Sequence, residues 1–266
     1  MIYRPANKTI AKHIDYYWIV EDTKQLLANT ANLYAYPGVT PDMIIVLNGF
    51  YEYQYLGKKV VSNKSMLFSF IHTKIELNLN SLGSFILIKF KSRALAAIQP
   101  FVNCSSLDII SNPIAFSNTA FDGTITELPS LVRDLSKKEV VAFLDYWFLS
   151  FYKKEREGFV VEMAQEVCAD FKLQNIMEAT NYSYSTIERY FKRETGLTPK
   201  KFESLKRFRS VLTAICETKD NDWFKYVNDY NYYDQAHFIK DIKKYTKATP
   251  TQVLNTPKFL SIRPQV

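Results

Sequence analysis

A chain of 266 residues, 47% hydrophobic and 15% aromatic with only 7 Gly and 10 Pro, carries ample material for a packed core, which argues against a disordered protein. Its formal net charge of +7 is compatible with a polyanionic partner but does not require one. The cysteines Cys104, Cys168 and Cys216 are scattered with no C-x-x-C pair, so they read as reduced thiols rather than a disulfide frame or zinc site. The start lacks a signal-peptide pattern and no apolar run has bilayer length, which predicts a soluble, cytoplasmic chain with no membrane partner.

In chain order, the first half alternates with period two. Asp15–Val20 (DYYWIV), Met43–Leu47 (MIIVL), Tyr51–Tyr55 (YEYQY), Met66–Ile71 (MLFSFI), Ile75–Leu79 (IELNL) and Phe85–Phe90 (FILIKF) read as strands. Pro37-Gly38, Asn48-Gly49, Gly57 and Gly83 read as the turns between them. A mostly antiparallel sheet, curled toward a barrel, is expected. From about Leu128 the period changes, and Val140, Phe143, Leu144, Trp147, Phe148 and Phe151 recur at helical spacing, as core or as a dimer face. The charged KKEREG stretch within Phe151–Phe159 suits a boundary, giving a β-rich unit with C-terminal helices over 1–152 and an all-α unit over 159–256, an α+β chain.

The helical half repeats itself. YFKRETGLTPKKF (Tyr190–Phe202) is echoed by DIKKYTKATPTQV (Asp241–Val253), with Phe191 answering to Ile242, Thr195 to Thr246 and Thr198-Pro199 to Thr249-Pro250. In the first copy Leu173–Thr180 is a short amphipathic helix and Asn181 suits a left-handed exit. Ser183 or Ser185 caps a second helix that buries Ile187 and Phe191. In the second copy Trp223–Tyr230 is the short helix, Asn231 the turn and Asp234 the cap. Phe238 and Ile242 then face inward, with Gln235, Ala236, Ile239, Lys240 and Lys243 outward. Pro199–Glu217 connects the copies as one helix, with Pro199 at its first position. A short helix, a sharp turn and a second helix with a basic outer face is a helix-turn-helix, whose second helix fits the major groove. Two units on one connecting helix can reach successive groove segments without a dimer.

At this point residues from about Phe159 to Leu254 resemble the paired helix-turn-helix domain of AraC/XylS-type bacterial transcription regulators. The resemblance rests on NYS…TIERYFKRETGLTPKKF, the Arg207-bearing connecting helix and NYYDQAHFIKDIKKYTKATPTQV. More loosely, DYYWIV, YPGVTPDMIIVLNG (Tyr36–Gly49) and Ile86–Ile109 are similar to the N-terminal domain of one branch of that family, in which Lys91-Ser92-Arg93 stands where a glycine-bearing stretch is usual. Other departures are Asn for Gly at both bends, Met177 and Val227 for small alanines, Lys247 for the glycine after Thr246, and the apolar Ile239 on the second outer face. The last implies a second unit that grips weakly or through phosphates alone.

The resemblance implies a DNA-binding transcription regulator with the β-rich unit serving effector binding or oligomerisation. Its expected partners are double-stranded promoter DNA, RNA polymerase, a small-molecule effector and a second copy in a homodimer. Base-contact candidates are Ser185, Glu188, Arg189, Gln235, Ala236 and Lys240, with Arg suited to guanine and Gln to adenine. Lys192, Lys243 and Lys244 are phosphate candidates. No catalytic, metal or cofactor site is expected: His13, His72 and His237 are isolated in sequence, and no G-x-S-x-G or Gly-rich phosphate loop occurs. One competing reading is a regulatory interaction protein that keeps this fold without sequence-specific DNA binding, motivated by Ile239, Lys247 and the acids Glu178, Glu188, Asp229 and Asp241. The other is an enzyme housed in the β-rich unit.

Overall fold

The computed structural model describes residues 1–24, 33–55, 57–68, 74–92, 94–97, 114–115, 122–152, 173–195 and 197–255. Its strands are β1 (Ile2–Tyr3), β2 (Ile14–Val20), β3 (Leu33–Ala35), β4 (Asp42–Gly49), β5 (Tyr51–Tyr55), β6 (Lys58–Ser62), β7 (Met66–Phe68), β8 (Ile75–Asn78), β9 (Leu82–Phe90) and β10 (Ile114–Ala115). They form two antiparallel sheets, ordered β1-β2-β9-β4-β7-β10 and β3-β8-β5-β6. The architecture is the expected α+β, though as two facing sheets rather than one curled sheet.

Side-chain alternation explains the layering. On β9, Phe85 and Leu87 point into the core shared with the smaller sheet, while Ile86, Ile88 and Phe90 point the other way. On β4, Ile44 and Val46 take the first side, Met43 and Ile45 the second. In β2 the register shifts between Ile14 and Tyr16. That bulge reverses the parity, so Ile14 shares a face with Tyr17 and Ile19.

Two helices cover the outer face of the larger sheet. After α1 (Ala94–Ala97) come α2 (Asp122–Leu131) and α3 (Lys137–Ser150). Ser136 and Glu139 form a reciprocal capping box that starts α3. Val140, Val141, Leu144, Trp147 and Phe148 pack on the sheet, so Trp147 belongs to the core, while Tyr146 is exposed. Asp145 is buried at 4% exposure and accepts hydrogen bonds from the Tyr17 hydroxyl and from the backbone N–H groups of Ala6 and Asn7, each at 2.7 Å. That carboxylate pins the N-terminal segment to α3, and burial, with the carboxylate adding to it, keeps the Tyr17 hydroxyl protonated well above the ordinary tyrosine range.

Several expected turns differ. Asn48-Gly49 ends β4 and Gly83 lies inside β9, where a register break near Asn48 leaves Gly83 as the extra residue. A side chain at Gly49, whose φ is +91°, would meet the Ser81 carbonyl, so the close approach of backbone requires glycine there. Pro37-Gly38 is a buried link between β3 and β4, not an exposed turn. Among the expected features, residues 69–71 of the fourth strand, His72, Arg93, Cys104, Cys168, Gly196 and most of the Phe151–Phe159 boundary lie outside the described residues.

The remaining helices are α4 (Leu173–Thr180), α5 (Tyr184–Thr195), α6 (Pro199–Thr218), α7 (Trp223–Asp229), α8 (Gln235–Thr246) and α9 (Pro250–Leu254). Among the described residues no helix is long and apolar enough to cross a membrane. Their common core includes Ile176, Ile187, Phe191, Phe202, Leu205, Phe208, Leu212, Phe238, Ile242 and Val253, and it also takes in Tyr36 and Val39 from the β3–β4 link. The β-rich half therefore contributes side chains directly to the helical core.

Candidate nucleic-acid interface

Each helix-turn-helix unit is built by the same local chemistry. Asn181 after α4 and Asn231 after α7 both adopt φ +54°, the left-handed conformation that lets the chain leave a helix abruptly. Ser183 caps α5, its hydroxyl accepting from the Thr186 N–H at 3.3 Å, which settles the choice between Ser183 and Ser185. Asp234 caps α8 by accepting from the His237 N–H at 2.7 Å.

Helix ends follow one device as well. Thr180, Thr195, Thr218 and Thr246 each donate a hydroxyl to the carbonyl four residues back and accept the N–H two residues on. This satisfies two backbone groups at a terminus that would otherwise be left without partners. Thr198 and Thr249 then cap the next helices, with Pro199 and Pro250 at the first helical positions. Lys219 and Lys247 supply further left-handed exits, so Lys247 fills the expected glycine position in the backbone state glycine favours.

With Ser183 superposed on Asp234, Ser185 corresponds to Ala236, Glu188 to Ile239, Arg189 to Lys240 and Lys192 to Lys243. Ser185, Arg189 and Lys192 are exposed on α5, and Ala236, Lys240, Lys243 and Lys244 are exposed on α8. Gln235 and Glu188 are half-buried. The Glu188 carboxylate lies 2.9 Å from the Lys192 ammonium, an ion pair one helical turn long. Ile239 is half-buried against the helical core rather than standing outward. Its apolar character is used for packing.

Asp241 is likewise not a surface charge. It is 6% exposed, and its carboxylate lies 3.6 Å from Arg207 on α6. The Arg207 guanidinium also covers the Tyr232 ring at 4.6 Å, clamping α8 to the connecting helix. His237 accepts a hydrogen bond at Nδ1 from the Tyr233 N–H at 3.4 Å and meets the Tyr232 ring edge-on at 5.2 Å. It is a packing residue of the turn.

Sequence reasoning passed over an aromatic–cationic stack on α5. Tyr182 and Tyr190 stack at 5.7 Å with an interplanar angle of 22°, and the guanidinium groups of Arg193 and Arg189 lie 4.5 and 5.8 Å from the Tyr190 ring centre. The available signal was an arginine on either side of a tyrosine, at i−1 and i+3. Among the described residues no group of His, Cys, Asp or Glu could hold a metal ion.

Residues 176–256 match the family described as a helix-turn-helix domain, which runs from the middle of α4 through α9. No curated protein matches the chain in sequence. Among solved structures the chain is similar to ToxT from Vibrio cholerae O395, at 10% identity and a TM-score of 0.45, over 84% of this chain and 95% of that one. It is also similar to the P21 form of ToxT from Vibrio cholerae, at 9% identity and a TM-score of 0.46, over 90% and 96%. A third similar structure is ToxT bound to (E)-4-(8-methylnaphthalen-1-yl)but-3-enoic acid, at 9% identity and a TM-score of 0.45, over 90% and 96%. The family match and the two capped units agree: residues 176–256 form a helix-turn-helix domain of the AraC family, the DNA-binding part of a transcription regulator.

Proposed function

We propose that this protein recognises promoter DNA by seating α5 and α8 in successive major-groove segments, with residues 159–256 as the DNA-binding domain and residues 1–152 as the modulating one. The observation that carries this reading is the pair of capped, exposed, basic helices on a single 20-residue connecting helix. At about 1.5 Å per residue α6 is roughly 30 Å long, close to the ~34 Å separating groove segments on one face of the duplex. Arg189, Ser185, Gln235, Ala236 and Lys240 then face base edges, with Glu188 beside them. Lys192, Lys243 and Lys244 hold phosphates.

Modulation through the β-rich half is supported by its physical continuity with the helices. Tyr36 and Val39 lie in the helical core, α1 lies against α5, and Arg209 of α6 approaches the Tyr36 carbonyl at 3.5 Å. A ligand or second copy that shifts the β3–β4 link would act on the helix joining both reading units. Promoter binding of this kind regulates access of RNA polymerase in the cytoplasm.

The burial of Asp241 and the packing of Ile239 remove two supports for a fold kept without sequence-specific binding. The test is a fluorescence-anisotropy titration of the full chain against duplexes from upstream of its own and neighbouring genes, at two salt concentrations with a scrambled control. Selective binding weakened at least about fivefold in Arg189→Ala is the expected result, in line with about 1–3 kcal/mol per good bidentate contact. Equal affinity for scrambled DNA would overturn the reading.

A further inference from the structure

We infer that Tyr190 is a positioning residue for DNA binding and that Arg193, which its ring carries, is a further phosphate contact of the first reading helix. This deepens the proposed function and rests on it. At about 3.6 residues per turn, the outer arc of α5 runs from the half-buried Glu188 through the exposed Lys192, Ser185 and Arg189 to Arg193, and Tyr190 lies just beyond. Arg193 thus stands at the edge of the arc. There a helix seated in the major groove meets the phosphates of the groove wall rather than base edges.

The geometry fits that role. Tyr190 is half-buried and is backed by Tyr182 in a near-parallel stack at 5.7 Å and 22°, so its ring is fixed from behind. The Arg193 guanidinium sits 4.5 Å from the ring centre, and Arg189 shares the same ring at 5.8 Å. Contact with a ring engages the face of a guanidinium, whereas a phosphate oxygen accepts from its in-plane N–H groups, so the two interactions are compatible. A long side chain held this way has less rotamer freedom left to lose when DNA binds. The second unit holds its equivalent cation similarly: Lys244 corresponds to Arg193, and its ammonium lies 4.8 Å from the centre of the Tyr245 ring. Tyr190 itself corresponds to the buried Asp241, so only the first unit carries the shared two-arginine platform.

The experiment titrates full-chain protein across a salt series against two labelled duplexes, the tightest binder recovered from a randomised duplex pool and its scrambled counterpart. Arg193→Ala is expected to lower the slope of log affinity against log salt by about one on both duplexes. Tyr190→Leu is expected to weaken binding about three- to tenfold with the slope retained, because the charges remain while their placement is lost. Tyr190→Phe keeps the ring and is expected to bind as the unsubstituted chain does. An unchanged slope in Arg193→Ala, or a Tyr190→Phe protein as weak as Tyr190→Leu, overturns the inference. Should Tyr190→Leu melt below the assay temperature, Arg193→Lys decides: retained slope with reduced affinity supports the platform, and unchanged affinity overturns it. Equal binding of both duplexes by the unsubstituted chain defeats the selective reading alone, since a phosphate contact is read on either duplex. No binding to either defeats both.

Discussion

The Lys89 ammonium lies 2.6 Å from the Asp42 carboxylate, its register partner across β4 and β9, with both side chains nearly buried. Tyr16 of β2 completes the row, and Arg209 of α6 reaches the same place, packed on Gly38 and held in its charged form by Asp42 against the cost of burial. One carboxylate thus serves two cations from opposite halves of the protein. Asp42→Ala leaves both without it, and breaking a buried pair in this way costs about 3–5 kcal/mol. A urea melt should register that loss. A shift below about 1 kcal/mol would mean the seam is wet and the pair behaves as a surface bridge.

The left-handed asparagines make a sharper test of the turns. Asn231 at φ +54° tolerates a backbone state that costs a β-branched residue about 1–2 kcal/mol. Asn231→Val should lose that much stability, whereas Asn231→Gly should melt within about 0.5 kcal/mol of the unsubstituted protein. Equal losses in both variants would point to a role for the amide side chain rather than for the backbone.

Much of this was legible beforehand because it is local. Caps, left-handed turns and the Thr-Pro restarts are written in adjacent residues, and the repeat fixed their equivalence. Strands β2, β4 and β9 were equally readable as short, nearly continuous apolar runs, since each is buried on both faces. What escaped was non-local or depended on register. The short strands β1, β3 and β10 are held by their neighbours rather than by their own pattern, and Gly83 looks like a turn until β4 pairs with it. Ile239 and Asp241 were misjudged for a related reason. The inward arc of α8 is widened by α6, whose Arg207 supplies the charge that lets an aspartate sit inside.

Alkaline unfolding should follow from the tyrosines. Burial raises Tyr17, Tyr36, Tyr51 and Tyr232 above the ordinary value of 10.0. A raised folded-state value means the stabilisation is complete below the unfolded value and is lost as pH climbs through and beyond it. Lys89 and Arg209, both lowered mainly by burial, act in the opposite sense, but they are two groups against several. Thermal melts should hold steady below about pH 9.5 and fall steeply above about pH 10. Stability that keeps rising past pH 10.5 would contradict the burial of these rings.

Cys216 offers a chemical view of the connecting helix. Its thiol is pushed up to about 12, chiefly by burial, so little thiolate exists at neutral pH. Iodoacetamide at pH 8, read at Cys216 by peptide mass spectrometry, should modify it slowly in the native chain and at the rate of a free thiol in urea. Rapid native modification would show that α6 opens locally.

The ion pair on α5 bears on the phosphate lysines. Lys243 on α8 is exposed and should contribute fully to counterion release, so Lys243→Ala should lower the salt slope by about one. Lys192 occupies the equivalent place on α5, but its ammonium is 2.9 Å from Glu188, so part of its field is already answered before DNA arrives. Lys192→Ala should therefore cost less slope than Lys243→Ala. Glu188→Gln should strengthen binding to scrambled duplex and bring the Lys192 contribution up to that of Lys243. If Glu188→Gln instead weakens binding to the selected duplex while leaving the scrambled one unchanged, the carboxylate is reading a cytosine amino group, and the pair with Lys192 opens when the helix enters the groove.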